Sequence, residues 1–207
     1  MTASVIIATS NTGKLAEFQN SLTPVFETIL SAAEAGVINL PKETGSSYIE
    51  NALLKAMYVA KQTNLPTIAD DSGLEVNALA GRPGIFSARF GGILSDSERV
   101  NYLLKELNSV PGDDRGARFV CAIAFFLPNG QSKTFTGQVI GEILPNPRGK
   151  SGFGYDPIFF CPELGKTFGE ATELEKRRVS HRGKALKGLL SWFHAQAGKN
   201  EISKLTW

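Results

Sequence analysis

The chain opens with a short apolar run that leads directly into helix-capping residues. Residues 5–8 read Val-Ile-Ile-Ala, which is typical of a buried strand. Thr9, Ser10 and Asn11 follow, and all three residue types cap helices well. A helix is therefore expected to start here and to stop before Pro24. Its inward residues fall at three- and four-residue spacing: Leu15, Phe18 and Leu22. A buried strand followed by an amphipathic helix points to an α/β fold.

A second helix and a second buried strand are predicted next. The helix begins after Ser46 and Ser47 and ends near Asn64-Leu65-Pro66. Its apolar stripe comprises Ile49, Ala52, Leu53, Ala56 and Ala60. Residues 67–69 then read as a short strand. This strand is expected to deliver Asp70-Asp71-Ser72-Gly73 to its carboxyl end, where α/β folds commonly bind ligands.

The second half of the chain contains a hairpin signal. A helix is expected over 95–107, after a stretch rich in Gly and Pro. Residues 118–127 and 134–144 read as strands joined by Pro128-Asn129-Gly130, so part of the sheet is antiparallel. A loop over 145–155 precedes a short strand at 158–160. The sheet is therefore predicted to be mixed.

A last helix completes the pattern. It begins after Ser180, and its apolar stripe is Leu186, Leu189, Leu190 and Phe193. No repeat, linker or low-complexity tract interrupts the sequence, so residues 1–207 are predicted to form one domain. The expected architecture is α/β, a mixed twisted sheet with flanking helices.

Composition narrows the class of protein. The 207 residues are 42% hydrophobic and 20% charged, as in an ordinary globular protein. The net charge is only +2 and the densest basic run spans three residues, 176–178, so a general nucleic-acid surface is not expected. Cys121 and Cys161 form no metal-binding or disulfide pattern and are expected to be buried free thiols.

No membrane or export signal is predicted. The N-terminal residues lack a basic segment followed by a long apolar one, and no segment reaches about 18 uninterrupted apolar residues. A cytoplasmic location and no membrane partner are therefore expected.

The first candidate ligand-binding segment is the strand-to-helix turn Thr9-Ser10-Asn11-Thr12-Gly13-Lys14. Its free backbone N–H groups and the Lys14 ammonium could hold phosphate oxygens. The spacing of its glycine does not match a Walker A loop. Ordinary helix capping remains the alternative interpretation.

The second segment contains the adjacent carboxylates of Asp70 and Asp71, to which we join Glu43. Neighbouring carboxylates repel unless a cation or strong donors neutralise them, and oxygen ligands suit Mg²⁺. Alternatively, one Asp caps the turn and the other faces solvent. Asn51 and Lys55 are four residues apart on the second predicted helix and could reach the same site, unless they form a plain solvated face.

The third segment combines Phe153-Gly154-Tyr155-Asp156-Pro157 with Lys176 and with Ser180-His181-Arg182. An aromatic ring offers a stacking face for a nucleotide base. Lys, Ser, His and Arg side chains at a helix start offer donors for base edges or phosphates.

These motifs together resemble the inosine triphosphatases, or Ham1-like family, over nearly the whole chain. The likeness rests on Ser10 to Lys14, Glu43-Thr44-Gly45, Glu50-Asn51-Ala52, Asp70-Asp71-Ser72-Gly73, Ser87-Ala88-Arg89, Phe153 to Pro157 and Ser180 to Gly183. The resemblance implies an elongated fold of two lobes with a central cleft, a homodimer, and hydrolysis of purine nucleoside triphosphates (ITP, dITP, XTP) to monophosphate and pyrophosphate.

The resemblance also implies roles for individual residues. Asp71 is expected to be the general base and, with Glu43, to bind Mg²⁺. The phosphates and sugar are expected to contact Thr9, Ser10, Asn11, Thr12, Gly13, Lys14, Lys55 and Ser72. The base is expected to contact Phe153, Gly154, Tyr155, Asp156, Lys176, His181 and Arg182. Two alternatives stay open: a Maf-like nucleotide pyrophosphatase and a nucleotide sensor without catalysis.

Overall fold

The structure is a computed structural model that describes residues 4–92, 95–108 and 114–197. The strands in these ranges are β1 Ser4–Ile7, β2 Thr28–Ser31, β3 Thr67–Val76, β4 Gly116–Phe126, β5 Ser132–Ile143, β6 Phe159–Cys161 and β7 Lys166–Thr167. The helices are α1 Thr12–Leu22, α2 Tyr48–Thr63, α3 Asp96–Asn108, α4 Glu173–Val179 and α5 His181–Ala197.

All seven strands belong to one sheet, in the order β2-β1-β3-β4-β5-β6-β7. Strand β1 pairs in parallel with β2, where Val5 faces Ile29, and with β3, where Ile6 faces Thr67. Strand β6 pairs antiparallel with both β5 and β7. The predicted mixed sheet with flanking helices is confirmed.

The predicted helix starts are confirmed. They could be predicted because capping residues lie at the starts themselves. The Asn11 side chain accepts a hydrogen bond from the Lys14 backbone N–H at the start of α1. The Ser47 side chain does the same for Glu50 at the start of α2, and Asn64 ends that helix in the left-handed conformation. These caps satisfy backbone groups that the first and last turns leave unpaired.

Three elements were missed: β2, β7 and α4. Helix α4 is only seven residues long, and its sequence Glu-Leu-Glu-Lys-Arg-Arg-Val has no apolar periodicity. It is stabilised by a capping box, in which the Thr172 and Glu175 side chains each accept from the other's backbone N–H. Hydrogen bonds lower the pKa of Glu175 to about 2, and the bond from Lys166 has the largest effect.

The prediction that Asp70 to Gly73 form a loop after a short strand was wrong. Strand β3 continues through them to Val76, and Asp70 and Asp71 are both buried. The paired register with β1 covers only Thr67 and Ile68, so the two carboxylates lie just beyond the end of β1. Their burial is possible because polar side chains from the helices meet them.

The chain divides into two compact units. Unit 1 comprises the described residues up to Asp71 together with 122–136 and 185–197. Its core packs α2 residues such as Ala52, Ala56 and Val59 against Ile6 and Ala69. The buried face of α2 differs from the predicted apolar stripe on one side: Ile49 is 40% exposed, whereas the polar Asn51 and Lys55 are buried.

Unit 2 comprises the described residues of 72–121 and 137–184. Its core includes Leu74 and Val76 of β3, Leu103 of α3, and the rings of Phe159 and Phe168. Cys121 and Cys161 are buried thiols that are not joined in a disulfide, as expected. Over the residues that the structure covers, none of the helices is both long and apolar enough to cross a membrane.

Candidate functional site

In unit 1, the turn after β1 presents the first residues of α1. Asn11 Oδ1 accepts from the Lys14 backbone N–H at 2.9 Å, and Thr9 Oγ1 accepts from the Asn11 N–H at 3.2 Å. Ser10, Asn11 and Thr12 are exposed, so the turn is accessible to a ligand. The start of an 11-residue helix provides partial positive charge for an anion.

The Lys14 side chain is directed at the acidic part of β3. Its Nζ lies 3.0 Å from Asp70 Oδ2, and the Asp70 side chain is fully buried. Burying a carboxylate without a partner costs several kcal/mol, so Lys14 is needed to compensate this charge. The predicted phosphate-binding turn and the predicted acidic segment thus meet in one place.

Asp71 is held by the second helix. Asn51 Nδ2 donates to Asp71 Oδ2 at 2.9 Å, and Asn51 Oδ1 accepts from the Gly45 N–H at 2.8 Å. Asn51 therefore ties the segment that follows Glu43 to β3. A Cβ at Gly45 would lie 2.8 Å from Asn51 Oδ1, so a side chain there would disturb this bridge.

A second charge pair lies beside Asp71. Lys55 Nζ donates to Glu43 Oε1 at 2.5 Å. Burial raises the pKa of the Asp71 carboxyl, and the neighbouring Glu43 carboxylate adds to that rise, whereas Lys55, Asn51 and Lys14 oppose it. A buried carboxyl with a raised pKa is the kind of group that enzymes use to accept a proton.

The donor chemistry of this cluster fits a magnesium ion. Asp71 and Glu43 offer carboxylate oxygens that are close enough to repel each other, which a divalent cation would relieve. Within residues 4–92, 95–108 and 114–197, no three His, Cys, Asp or Glu side chains form a ready metal cluster. Mg²⁺ commonly takes only one or two protein carboxylates, with water and phosphate oxygens as its remaining ligands.

In unit 2, a buried ion pair supports the aromatic segment. Lys176 Nζ lies 2.6 Å from Asp156 Oδ2, and both side chains are buried. The same Asp156 oxygen accepts from the Phe153 N–H at 2.9 Å. Lys176 Nζ also lies 4.6 Å from the centroid of the Phe153 ring, within the range of a cation–π contact.

Arg182 and His181 begin α5 beside these residues. The Arg182 Nη2 donates to Ser72 Oγ at 2.8 Å, and its guanidinium carbon lies 5.7 Å from the Phe153 ring centroid. The His181 ring stacks on Phe119, with centroids 4.7 Å apart. Unit 2 therefore places Lys176 and Arg182 against the Phe153 ring, and His181 precedes Arg182 at the start of α5 and packs on Phe119.

Tyr155 is a buried core residue, so its ring is not exposed for stacking with a base. It is buried among the apolar residues of unit 2, and its hydroxyl donates to the Ser87 backbone carbonyl at 3.0 Å. Burial raises the pKa of the Tyr155 phenol well above its usual range. The motif residue Ser87 thus acts by holding Tyr155 and the backbone of β3, because its hydroxyl also accepts from the Leu74 N–H at 2.8 Å.

Two residues that contact these groups carried no signal in the sequence. Phe119 reads as an ordinary strand residue, and Asp96 reads only as a first-turn acid of α3. Asp96 Oδ2 accepts from the Gly154 N–H at 2.7 Å across 58 positions of the chain. Such a contact is visible only once the chain has folded.

The fold defines an α/β protein in which unit 1 carries a helix start beside buried carboxylates and unit 2 carries cationic side chains beside an aromatic ring. The chain belongs to the Ham1 family, whose sequence model matches residues 5–192.

Individual relatives match over nearly their whole length. A Thermus thermophilus protein named dITP/XTP pyrophosphatase is 50% identical over 201 residues, 97% of each chain. A Bacillus subtilis protein of the same name is 46% identical and covers 89% of this chain and 93% of its own. The structure of a HAM1 protein from Coxiella burnetii matches with a TM-score of 0.85 and 41% identity, over 93% of this chain and 99% of that one.

Proposed function

We propose that this protein hydrolyses purine nucleoside triphosphates with deaminated or oxidised bases, namely ITP, dITP and XTP, to the monophosphate and pyrophosphate. Its relatives from Thermus thermophilus, Deinococcus radiodurans and Bacillus subtilis are dITP/XTP pyrophosphatases by name. Membership of the Ham1 family does not favour the Maf-like alternative. The protein would remove such nucleotides from the pool before they are used.

The observation that carries this proposal is the buried Asp71 carboxylate with its partners. A protein that only bound a polyphosphate would gain nothing from added negative charge, whereas activation of a water molecule requires a base. Asn51 fixes the orientation of the carboxylate, and burial raises its pKa. Asp71 is therefore the general base, and a sensor without catalysis is not favoured.

The triphosphate is bound by unit 1 residues in this proposal. The accessible turn from Thr9 to Lys14 offers N–H donors, hydroxyls and one ammonium group. Lys55 adds a second ammonium beside Glu43. The two ammonium groups can offset part of the phosphate charge and orient the chain of phosphates toward Asp71.

Magnesium is the proposed cofactor, with Glu43 and Asp71 as its protein ligands. When bound, Mg²⁺ neutralises phosphate charge and makes a coordinated water more acidic. Lys55 is paired with Glu43 and Lys14 with Asp70, so the protein itself compensates two of the three carboxylates in the acidic cluster.

The base is recognised by unit 2 residues. Inosine and xanthosine present a 6-keto acceptor where adenine presents an amino donor. Lys176, His181 and Arg182 are donor-rich, and the Phe153 ring offers a stacking surface beside two of them. Adenine would leave such donors unpaired, at a cost of about 1–3 kcal/mol for each group.

The first prediction tests the substrate class. Purified protein with Mg²⁺ is expected to hydrolyse ITP, dITP and XTP at least about a hundredfold more efficiently than ATP, as kcat/KM, because of two or three unpaired donors. Pyrophosphate and orthophosphate are measured separately, with excess chelator as the control for the metal. Sequential release of orthophosphate, or equal hydrolysis of ATP and ITP, would contradict the proposal.

The family resemblance also supports a homodimer and a cytoplasmic place of action, where nucleoside triphosphates are used. Light scattering on the purified protein tests the dimer. A monomeric mass at micromolar concentration would remove that part of the proposal.

A further inference from the structure

The Phe153–Asp156 segment is held by a residue of α3. Asp96 Oδ2 accepts the Gly154 backbone N–H at 2.7 Å. The other Asp96 oxygen, Oδ1, accepts from Arg99 Nη1 at 2.7 Å, and the Arg99 side chain is largely buried. Arg99 therefore fixes the carboxylate in the orientation that meets Gly154. A hydrogen bond to an ionised acceptor is stronger than one between neutral groups.

The cap of α3 does not require Asp96. Ser95 and Glu98 form that cap: Ser95 Oγ accepts from the Glu98 N–H, while Glu98 Oε2 accepts from the Ser95 N–H at 2.8 Å and from its hydroxyl at 2.6 Å. The two acids of the same helical turn therefore have separate tasks. Glu98 closes the helix start, and Asp96 reaches out to the aromatic segment.

The position that Asp96 holds is the most conformationally demanding in the segment. Gly154 has φ of +63°, in the left-handed region that favours glycine. Its neighbours on both sides are anchored elsewhere: the Phe153 N–H by Asp156 and the Tyr155 hydroxyl by Ser87. The peptide between these anchors is held by the Asp96 hydrogen bond and by a longer one, from the Asp156 N–H to the Phe153 carbonyl at 3.3 Å. Loss of Asp96 would leave only the longer bond, so this peptide and the Phe153 ring next to it would be less restrained.

We propose that Asp96 is a positioning residue for base recognition. By fixing the Gly154 N–H, it sets the direction of the Phe153 ring over Lys176 and Arg182, and so the selectivity for the base. This inference rests on the function proposed above, and it assigns to the first turn of α3 a part in choosing the substrate.

The test compares Asp96→Ala and Asp96→Asn with Glu98→Ala, which removes the neighbouring acid of the same turn without touching the Phe153 segment. Loss of one such hydrogen bond is expected to reduce the preference for ITP over ATP, as the ratio of kcat/KM values, by about two- to tenfold in Asp96→Ala. The change is expected mainly in KM for ITP. Asp96→Asn retains an acceptor and is expected to lie between wild type and Asp96→Ala.

A second readout does not depend on activity. Hydrogen exchange at the Gly154 amide is expected to accelerate in Asp96→Ala but not in Glu98→Ala. An unchanged ITP preference in Asp96→Ala, or an equal loss in Glu98→Ala, overturns the inference while the proposed function stands. A wild-type protein without preference for ITP overturns the proposed function itself and this inference with it, whatever the exchange rate of Gly154.

Discussion

At the level of single residues, the acidic cluster of unit 1 is built from charges that are unfavourable alone. Asp70 and Asp71 are adjacent and buried, and Glu43 raises the pKa of Asp71 further beyond the effect of burial. Lys14, Lys55 and Asn51 compensate these charges only in part. Such an arrangement reduces the stability of the fold but provides a carboxyl suited to proton transfer, as is common in active sites.

Replacement of Asp71 by Asn is expected to abolish activity and to stabilise the fold. The amide keeps the shape and an acceptor for Asn51, but it cannot accept a proton, so turnover should fall about a hundredfold or more. The folded-state pKa of Asp71 is raised, so its ionisation is unfavourable in the native state. Metal-free Asp71→Asn should therefore unfold at a higher temperature than wild type at neutral pH.

The pH dependence provides the control for this interpretation. The contribution of Asp71 to the stability of the wild-type chain is fully present below its unfolded-state pKa of about 3.9, and is lost as pH rises through the higher folded-state pKa. The stability difference between Asp71→Asn and wild type should thus vanish in acid. A difference that is the same at every pH, or wild-type activity in Asp71→Asn, would exclude the proposed role.

At the level of elements, the short helix α4 matters because it carries Lys176 into the unit 2 cluster. Seven residues are too few for a stable isolated helix, so its ends and contacts must hold it. The Thr172 and Glu175 capping box does so at the start, and Glu175 also accepts from Lys166 Nζ at 2.8 Å. At the other end, the Ser180 hydroxyl accepts the Gly183 N–H as α5 begins.

Thr172→Ala is expected to lower the free energy of unfolding by about 1 kcal/mol, because it removes the side-chain acceptor for the Glu175 N–H. Urea denaturation measures this change. Thr172→Ser retains the hydroxyl, so its free energy of unfolding should lie within about a few tenths of a kcal/mol of the wild-type value, as for a conservative exchange. Equal destabilisation by both substitutions would show that the cap is not responsible.

At the scale of the whole molecule, three strands have residues in both units. Strands β3, β4 and β5 each begin in one unit and end in the other, so no linker separates the units in the described chain. The single domain expected from the sequence therefore predicts one cooperative transition.

This prediction is tested with one probe in each unit. Trp192 packs on Phe125 in unit 1, and its fluorescence can be isolated in a Trp207→Phe variant. Cys121 and Cys161 are buried in unit 2, so their pulse alkylation reports its opening. Both probes are expected to give the same urea midpoint. Two separate midpoints would mean that the units unfold independently.

Much of the fold was predictable because its signals are local. The side chains of Asn11, Ser47 and Ser95 each accept from a backbone N–H three residues later, so residues close together in the sequence determine where these helices begin. The candidate ligand-binding segments were predictable for a similar reason. Polar residues such as Asp70 and Asp71, placed next to a buried strand, stand out against the apolar pattern.

What only the tertiary structure decided is where charged groups found their partners. The sequence alone favoured a loop at Asp70 and a solvated face for Asn51 and Lys55, because isolated polar groups belong in water. In the folded chain these groups compensate one another and become buried, and β3 extends through the acidic pair. Asp96 meets Gly154 across 58 positions for the same reason: the free energy of a buried or ionised group depends on neighbours that only folding brings to it.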